Sequence, residues 1–419
     1  MSNYSLQGIT KALGPGLIMA AAAIGVSHLV QSTRAGAEYG FALIWAVLLA
    51  NLFKYPFLEF GPRYALATGK NMIRGYAELH PAALWTFIIF TISTMFAVHA
   101  AVTMVTASLA TSLTGIELPV LWWAIIILAI SILYLVKDSY SSLDKAIKVL
   151  MVVLAISTVF ATVAALTGGA VQSVPAVSSP EVWTVSGVAF LIALMGWMPI
   201  PIDAAAWQSI WTVERIKQTG YTPKLREVTF DFNLGYIGAA VIAVCFLLLG
   251  ALVMYGSGQE FATSAAGFAE QFITLYTVAL GEWAYIIIII CAFTTMFSTT
   301  LTVTDTYPRV CAHIISIVSN KESSFNFKLT HRVLLVLISL GTVLFLYIMG
   351  DRFRLLIDLA TTLSFLAAPV LAFMNHKLIF QDEIKEEFRP KKWLFLLSVS
   401  GILFLSVFAL IYLYWMVLY

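Results

Sequence analysis

The side chains best suited to binding an ion or a small solute form two short clusters, each inside a long apolar segment. They are Gly25, Ser27, His28 and Gln31 in the first cluster, and Met195, Met198, Pro199 and Asp203 in the second. Imidazole and thioether groups suit transition metals, a carboxylate suits hard cations, and a His–Asp pair can relay a proton or hold a polar solute. These residue types predict a binding site for a small cargo, either a metal ion or an organic solute.

Both clusters lie where a helix is interrupted. The first follows Gly14-Pro15-Gly16 and a run of small residues, and the second contains Pro199 and Pro201, each of which removes a backbone donor. Backbone groups freed inside a membrane must be satisfied by a cavity, water or a ligand. The two interruptions are five predicted helices apart, which is typical of transporters built from two inverted repeats that bind substrate between half-helix ends. The alternative is that both are packing kinks.

Asp203 is the most informative ionisable residue of the two clusters. A carboxylate at mid-span is unfavourable unless it faces a cavity or a partner. Its position four residues after Pro199 predicts a place about one turn inside the second half of the broken helix. We expect it either to serve cargo binding and proton transfer or to form a structural pair with His28 or His99.

The composition places these segments in lipid. Of the 419 residues, 60% are hydrophobic and 11% are charged, whereas soluble chains have about 25% charged residues. A net charge of +2 gives no dense basic face for nucleic acid, and the three cysteines lack the spacing of a zinc site or a disulfide framework. No hydrolase, kinase or P-loop motif is present. The sequence predicts an all-α integral membrane protein that is not an enzyme and needs no cofactor.

Eleven apolar stretches are long enough to cross a bilayer. They are 10–34, 41–66, 83–112, 119–136, 146–168, 183–212, 232–256, 276–306, 332–350, 354–375 and 393–418. Most of the 24 Lys and Arg residues lie in the N-terminus and in alternate loops. By the positive-inside rule, the N-terminus is predicted to be cytoplasmic and the C-terminus extracytoplasmic, in the plasma or inner membrane.

Charged residues elsewhere in the spans are predicted to be structural. Glu59 and Arg63 form an i,i+4 pair, and Lys54 is grouped with them as a structural or gate-forming residue. Asp231, at the start of the seventh stretch, is predicted to cap that helix or to interact with its dipole.

The chain resembles the Nramp family (natural resistance-associated macrophage protein) of divalent-metal transporters. The segments that carry the resemblance are Gly14-Pro15, Gly36–Gly40, Gly69-Lys70-Asn71, Met198-Pro199, Ser298–Thr304 and Leu363–Pro369. The resemblance implies a LeuT-type fold of two inverted five-helix repeats plus one extra helix. Residues 1–168 and 169–376 would form the repeats, and 377–419 a cytoplasmic loop and the eleventh helix. It also implies proton-linked import of a divalent metal ion across the lipid bilayer.

The family's ion-binding positions carry other residues in this chain. Its first-helix motif Asp-Pro-Gly-Asn falls on Gly25, Val26, Ser27 and His28, and its sixth-helix His falls on Ile200. The resemblance further places a proton-handling Asp of the third helix on His99 and a tenth-helix Gln on Thr361. The remaining candidate metal ligands are His28, Met198 and Asp203. His99 and Asp203 are the candidate proton pathway, and Thr361 joins the cargo contacts.

Three functions stay open at the level of sequence. The first is a secondary transporter of divalent metal with a rebuilt site, as the resemblance implies. The second is a transporter of a small organic solute on the same scaffold, with Asp203 or His28 supplying a charge. The third is a non-transporting membrane protein, such as a sensor or a partner subunit.

Overall fold

A computed structural model describes residues 6–137, 140–167, 181–320 and 325–418, and within these ranges the chain forms helices joined by loops, without β-strands. The first half contains α1 (Leu6–Ala12), α2 (Pro15–Ala23), a π-helical turn (Ser27–Ser32), α3 (Thr33–Tyr39), α4 (Ile44–Thr68), α5 (Met72–Leu79), α6 (Pro81–Thr114), α7 (Val120–Val136) and α8 (Tyr140–Thr167). The second half contains α9 (Val185–Gly196), α10 (Ala204–Thr219), α11 (Leu225–Val253), α12 (Ala265–Leu280), α13 (Ala284–Val318), α14 (Phe327–Met349), α15 (Phe353–Ile379) and α16 (Lys392–Leu418).

The all-α membrane architecture is confirmed. Within the described ranges, seven helices are individually long and apolar enough to cross a membrane, and α2 with the π-helical turn and α3 makes an eighth, bent by 45°. Three predicted spans fall outside this set: α4 contains three buried charged residues, α7 is shorter, and the sixth span is divided into α9 and α10. The count of eleven therefore stays a prediction, and we keep its numbering from the first span (α2–α3) to the eleventh (α16).

The predicted bounds of the eighth span are wrong. The stretch 276–306 is divided, because α12 ends at Leu280 and α13 begins at Ala284. Gly281 between them has a φ of 98°, a left-handed conformation that ends a helix. The eighth span therefore starts later than predicted and continues to Val318.

Neighbouring spans are arranged with an internal exchange symmetry. The second span packs on the sixth and the seventh on the first; likewise the third packs on the tenth and the eighth on the fifth. When each span is replaced by the one five places away in the chain, the pair of second and sixth spans becomes the pair of seventh and first. In the same way, the pair of third and tenth spans becomes the pair of eighth and fifth. This correspondence is expected for two five-helix halves. The predicted boundaries 1–168, 169–376 and 377–419 remain a prediction, and the first of them lies outside the described residues.

The first span is held along its length by α11. A Cβ on Gly36 would collide with the carbonyl oxygen of Leu247, and one on Gly250 with that of Thr33. Because neither residue has a side chain, the backbones of α3 and α11 approach closely, which is a common way of packing membrane helices.

Asp231 caps a different helix from the one predicted. It lies inside α11, and its carboxylate accepts hydrogen bonds from the amides of Gly14 (3.0 Å) and Gly16 (2.6 Å) at the start of α2. The carboxylate thus satisfies amides that have no partner within α2 and faces the positive end of its dipole. It connects the seventh span to the beginning of the first.

We predict that Asp231→Ala lowers the free energy of unfolding by about 3 kcal/mol, because two charge-assisted bonds are lost at a buried helix end. Denaturation in mixed detergent micelles measures the change. Asp231→Asn, which keeps one acceptor, should lose less, and Asp382→Ala in an exposed loop should change little. Equal stability of Asp231→Ala and the native protein would contradict the capping role.

Candidate functional site

The break in the first span lies between Ala23 and Ser27. Ser27 Oγ is 2.8 Å from the carbonyl oxygen of Ala23 and 3.3 Å from that of Pro199, so its proton can reach either acceptor. Gly25 lies against Thr299 of α13, whose hydroxyl donates to the carbonyl of Ala21. The break is therefore closed by side chains from its own span and the eighth and by the backbone of the sixth.

The break in the sixth span covers Trp197–Asp203, between the end of α9 and the start of α10. Met195 and Met198 are fully buried. Ser32 Oγ lies 3.9 Å from Met198 Sδ, within reach of a weak hydrogen bond, and Trp197 Nε1 donates to Ser364 Oγ at 2.8 Å. The structure thus brings the two predicted clusters together and joins them to the tenth span.

A cavity of about 30 Å³ lies between the two breaks. Its walls are apolar or weakly polar, and none of the described residues lining it is charged. They are Ala22, Val26, Ser27, Val98, Val102, Trp197, Pro199, Ile200, Pro201, Trp207, Thr299 and Val303. Of the predicted cargo contacts, only Ser27 and Pro199 line this cavity.

A vestibule of about 790 Å³ approaches the cavity from the end of the bundle where the first span begins. Three helices line both spaces, with vestibule and cavity residues about one turn apart. The pairs are Ile18 and Ala22 on α2, Trp211 and Trp207 on α10, and Thr302 and Thr299 on α13. A barrier of roughly one helical turn, about 5 Å, therefore separates the two spaces.

Asp203 lies at the edge of α10, immediately before Ala204, and not one turn inside it as predicted. The non-helical segment is longer than the two prolines alone indicate, because it continues through Asp203. The carboxylate interacts electrostatically with Lys54 of α4. Lys54 is fully buried, and its ammonium donates to the carbonyl oxygens of Met195 (2.6 Å) and Gly196 (2.7 Å).

Lys54 is thus a residue of the site that sequence reasoning grouped with the structural pair Glu59–Arg63. That pair is present, with a salt bridge along one face of α4. The signal in the sequence that could have identified it is a single lysine near the middle of an apolar span. The sequence does not show that the second span packs on the sixth, so Lys54 was not connected with the break in the sixth span.

The two buried histidines have partners other than the predicted carboxylate. His28 Nδ1 lies 2.7 Å from Ser27 Oγ, and Nε2 lies 2.9 Å from the carbonyl of Ala239. His99 lies between the hydroxyls of Thr304 and Thr342, each at 2.9 Å from a ring nitrogen. With both ring nitrogens occupied, neither histidine hydrogen-bonds to Asp203. The predicted His–Asp pair is therefore not formed.

Gln31 and Thr361 meet, although they are on the first and tenth spans. Gln31 Nε2 donates to Thr361 Oγ1 at 3.4 Å and to Asp358 Oδ1 at 3.2 Å. Gln31 is fully buried, and its Oε1 has no hydrogen-bond partner among the described residues. Asp358, which was not among the predicted site residues, joins Gln31 and Thr361 to a larger ionic network.

This network connects the far ends of the first and tenth spans. Arg34 contacts Asp358 at 3.0 Å and Glu38 at 3.1 Å, and Arg354 contacts Glu38 at 3.6 Å. The guanidinium of Arg34 also lies 4.5 Å from the ring centre of Phe190 in α9. The network lies at the end of the bundle opposite the vestibule.

Solved structures share this fold. A mutant of the Eremococcus coleocola manganese transporter matches with a TM-score of 0.72 at 14% identity, covering 98% of this chain and 88% of that one. MhsT in complex with L-phenylalanine matches with a TM-score of 0.67 at 15% identity, covering 96% and 98%. At these identities the likeness concerns the fold, and it confirms the LeuT-type arrangement.

Sequence comparisons identify relatives. An uncharacterized protein of Pasteurella multocida, PM0681, is 34% identical over 405 residues, 96% of this chain and 91% of that protein. The divalent metal cation transporter MntH of Verminephrobacter eiseniae is 32% identical over 84 residues, 20% of this chain and 19% of that protein. The sequence model described as natural resistance-associated macrophage protein-like matches residues 16–415. The chain therefore belongs to the Nramp family of membrane transporters.

Proposed function

We propose that this chain is a secondary-active transporter whose cargo crosses the membrane through the cavity between the two breaks. The vestibule reaches within one turn of that cavity from one end, and the ionic network closes the other end. Alternating access needs such an asymmetry between two sides of one site.

The vestibule is the cytoplasmic side in this proposal. Its lining includes Arg215, Arg309, Lys328 and Arg332, which belong to the loops and helix ends rich in Lys and Arg. By the positive-inside rule these loops face the cytoplasm, with the N-terminus on the same side and the C-terminus outside. We place the protein in the plasma or inner membrane on this ground.

The cargo that the geometry favours is a small organic solute with little net charge. The observation that supports it is the lining of the cavity, because no charged side chain among the described residues faces it. A divalent ion would have to exchange its water for neutral groups at low dielectric, which costs far more than burying a neutral solute. Trp197 and Trp207 offer this solute apolar surface.

None of the predicted metal ligands lines the cavity, since His28, Met198 and Asp203 are all absent from its wall. His28 lies 2.9 Å from the carbonyl of Ala239, Met198 lies 3.9 Å from the hydroxyl of Ser32, and Asp203 interacts electrostatically with Lys54. Among the described residues, no group of three or more His, Cys, Asp or Glu could hold a metal ion. To bind one metal ion in the cavity, the side chains of His28, Met198 and Asp203 would have to reorient.

A divalent metal ion is the second candidate cargo, because the family and the MntH relatives support it. The proton is the coupling ion in either case. His99, fully buried between two hydroxyls, and Asp203, at the break, are the residues we assign to its pathway. A non-transporting protein is the third outcome that the experiments below distinguish.

We predict that calorimetric titration of Mn²⁺, Cd²⁺ or Mg²⁺ into the purified full-length protein gives no binding up to millimolar concentration. In the same preparation, at least one member of a panel of small uncharged and zwitterionic solutes, namely urea, glycerol and glycine, should raise the melting temperature. Millimolar or tighter metal binding, lost in Met198→Leu and His28→Ala, would instead establish the second candidate.

The solute identified in this way provides the flux assay. Uptake into proteoliposomes should fall at least about tenfold in Val102→Leu, whose extra methylene occupies most of the cavity, and remain in Ile130→Leu, which places the same side chain at an exposed position. Acidification of the lumen during uptake would identify proton coupling. Stabilisation by a solute without any flux would indicate a sensor rather than a transporter.

We predict that Asp358→Asn opens the end closed by the ionic network. The reporter is Thr361→Cys, one turn below, in a background where Cys245, Cys291 and Cys311 are Ser. Labelling by a membrane-impermeant maleimide should accelerate by about tenfold, since loss of the Arg34–Asp358 pair weakens the closed arrangement by an amount typical of allosteric couplings. Asp351→Asn, an exposed acid near the same end, is the matched control. An unchanged labelling rate would show that the network does not hold this end closed.

A further inference from the structure

Lys54, a buried lysine of the second span, has an unusual pair of hydrogen-bond acceptors in the sixth. Lys54 Nζ donates to the backbone carbonyls of Met195 and Gly196, at 2.6 and 2.7 Å. These are the last two residues of α9. Their carbonyls lack the i+4 donors of a continuing helix, since Pro199 has no N–H and the chain is non-helical beyond Gly196, and the carbonyl of Met195 accepts only a longer turn bond from the amide of Met198 (3.4 Å). The ammonium therefore lies at the C-terminal end of a half-helix in the middle of the membrane.

Such a helix end carries a partial negative charge and attracts cations. In transporters with broken helices, the carbonyls at these ends coordinate the coupling or transported cation. In this chain an ammonium from the second span takes two of these carbonyls. A lysine has the charge of a monovalent ion and up to three donors, so it can replace the coordination that a bound ion would supply.

The opposite end of the break has a matching charge. Asp203 precedes α10, at the end where the helix dipole is positive, and it interacts electrostatically with Lys54. Both half-helix ends thus face a fixed charge of the chain itself. The break is electrically balanced without any ion from solution.

The environment of Lys54 differs from that of most lysines in membrane helices. Such lysines usually extend their ammonium to the interface. Lys54 is 0% exposed, and the neighbouring Glu59 is bonded to Arg63. Its two hydrogen bonds go to backbone carbonyls that lose their helical donors where the sixth span is interrupted.

We propose that Lys54 is a resident cation that occupies the ion-coordinating carbonyls of the sixth span and thereby determines the charge of the cargo. It keeps metal and alkali cations from these carbonyls and leaves the cavity to a solute that brings little positive charge. This inference deepens the proposed function and rests on it in taking the break as the cargo site.

The test removes the ammonium and asks whether a cation from solution replaces it. The melting temperature of full-length Lys54→Ala in detergent is measured in choline chloride, which is too large for the vacated space, and in chloride salts of methylammonium, ethylammonium, Na⁺ and Mn²⁺ at equal ionic strength. We expect Lys54→Ala to melt at least about 5 °C lower than the native protein in choline. At least one of the small cations should recover half of that loss, and the native protein should not respond.

Control variants separate this role from general destabilisation. Lys54→Arg keeps the charge and should be insensitive to cations, Lys54→Met keeps the length without the charge and should behave like Lys54→Ala, and Lys217→Ala at an exposed position should match the native protein. If Lys54→Ala and Lys54→Met fold only when purified with a small cation, the proposal is supported.

Two results would overturn the proposal. One is that Lys54→Ala and Lys54→Met show no cation-dependent recovery, either of melting temperature or of folded protein. The other is that the native protein is stabilised by the same cations to the same extent. The melting experiment contains no cargo, so it can succeed where the flux assay fails, and failure of either is recognised separately.

Discussion

Two helices of this protein stop in the middle of the membrane, and the backbone groups released there have no water to bind. Each of these groups costs several kcal/mol if left without a partner in a dry environment. Side chains from other spans meet much of this demand: Lys54 reaches the carbonyls at the end of α9, and Thr299 reaches a carbonyl of α2. The packing of α4 on the sixth span and of α13 on the first holds these side chains in place.

The exchange symmetry of the spans determines which span supports each break. The second span supports the break in the sixth, through Lys54, and the seventh supports the first, through Asp231 at its start and through Ala239, which contacts His28 at its break. The supporting groups occupy corresponding spans but are chemically different. An ammonium meets carbonyls on one side, whereas a carboxylate meets amides and a carbonyl meets an imidazole on the other. The repeats therefore share a framework while the chemistry of the two breaks is free to differ.

The features that could be predicted from the sequence are those that depend on a single segment of the chain. Prolines and small residues predicted both interruptions, and apolar length predicted where the helices lie except in the stretch 276–306, because each depends on one segment and its solvent. Sequence reasoning failed where two segments must meet. The structural pair that the sequence offers for Asp203 is with His28 or His99, yet the carboxylate interacts electrostatically with Lys54. The start of α2 is capped by Asp231 from more than two hundred residues away. Spacing along one helix does not tell which neighbour faces it.

In the proposed function, charge at the breaks and not the fold selects the cargo. The same fold is found in a manganese transporter and in MhsT in complex with L-phenylalanine, so the fold alone does not identify the cargo. In this chain the charged residues that approach the breaks are engaged with partners of the protein itself, as Lys54 is with carbonyls and Asp203 is with Lys54. A charged cargo would have to displace one of these partners and leave it buried and unpaired, which is the most unfavourable exchange at low dielectric. A cargo with little net charge displaces none of them, and its binding depends on the apolar walls that the cavity already has.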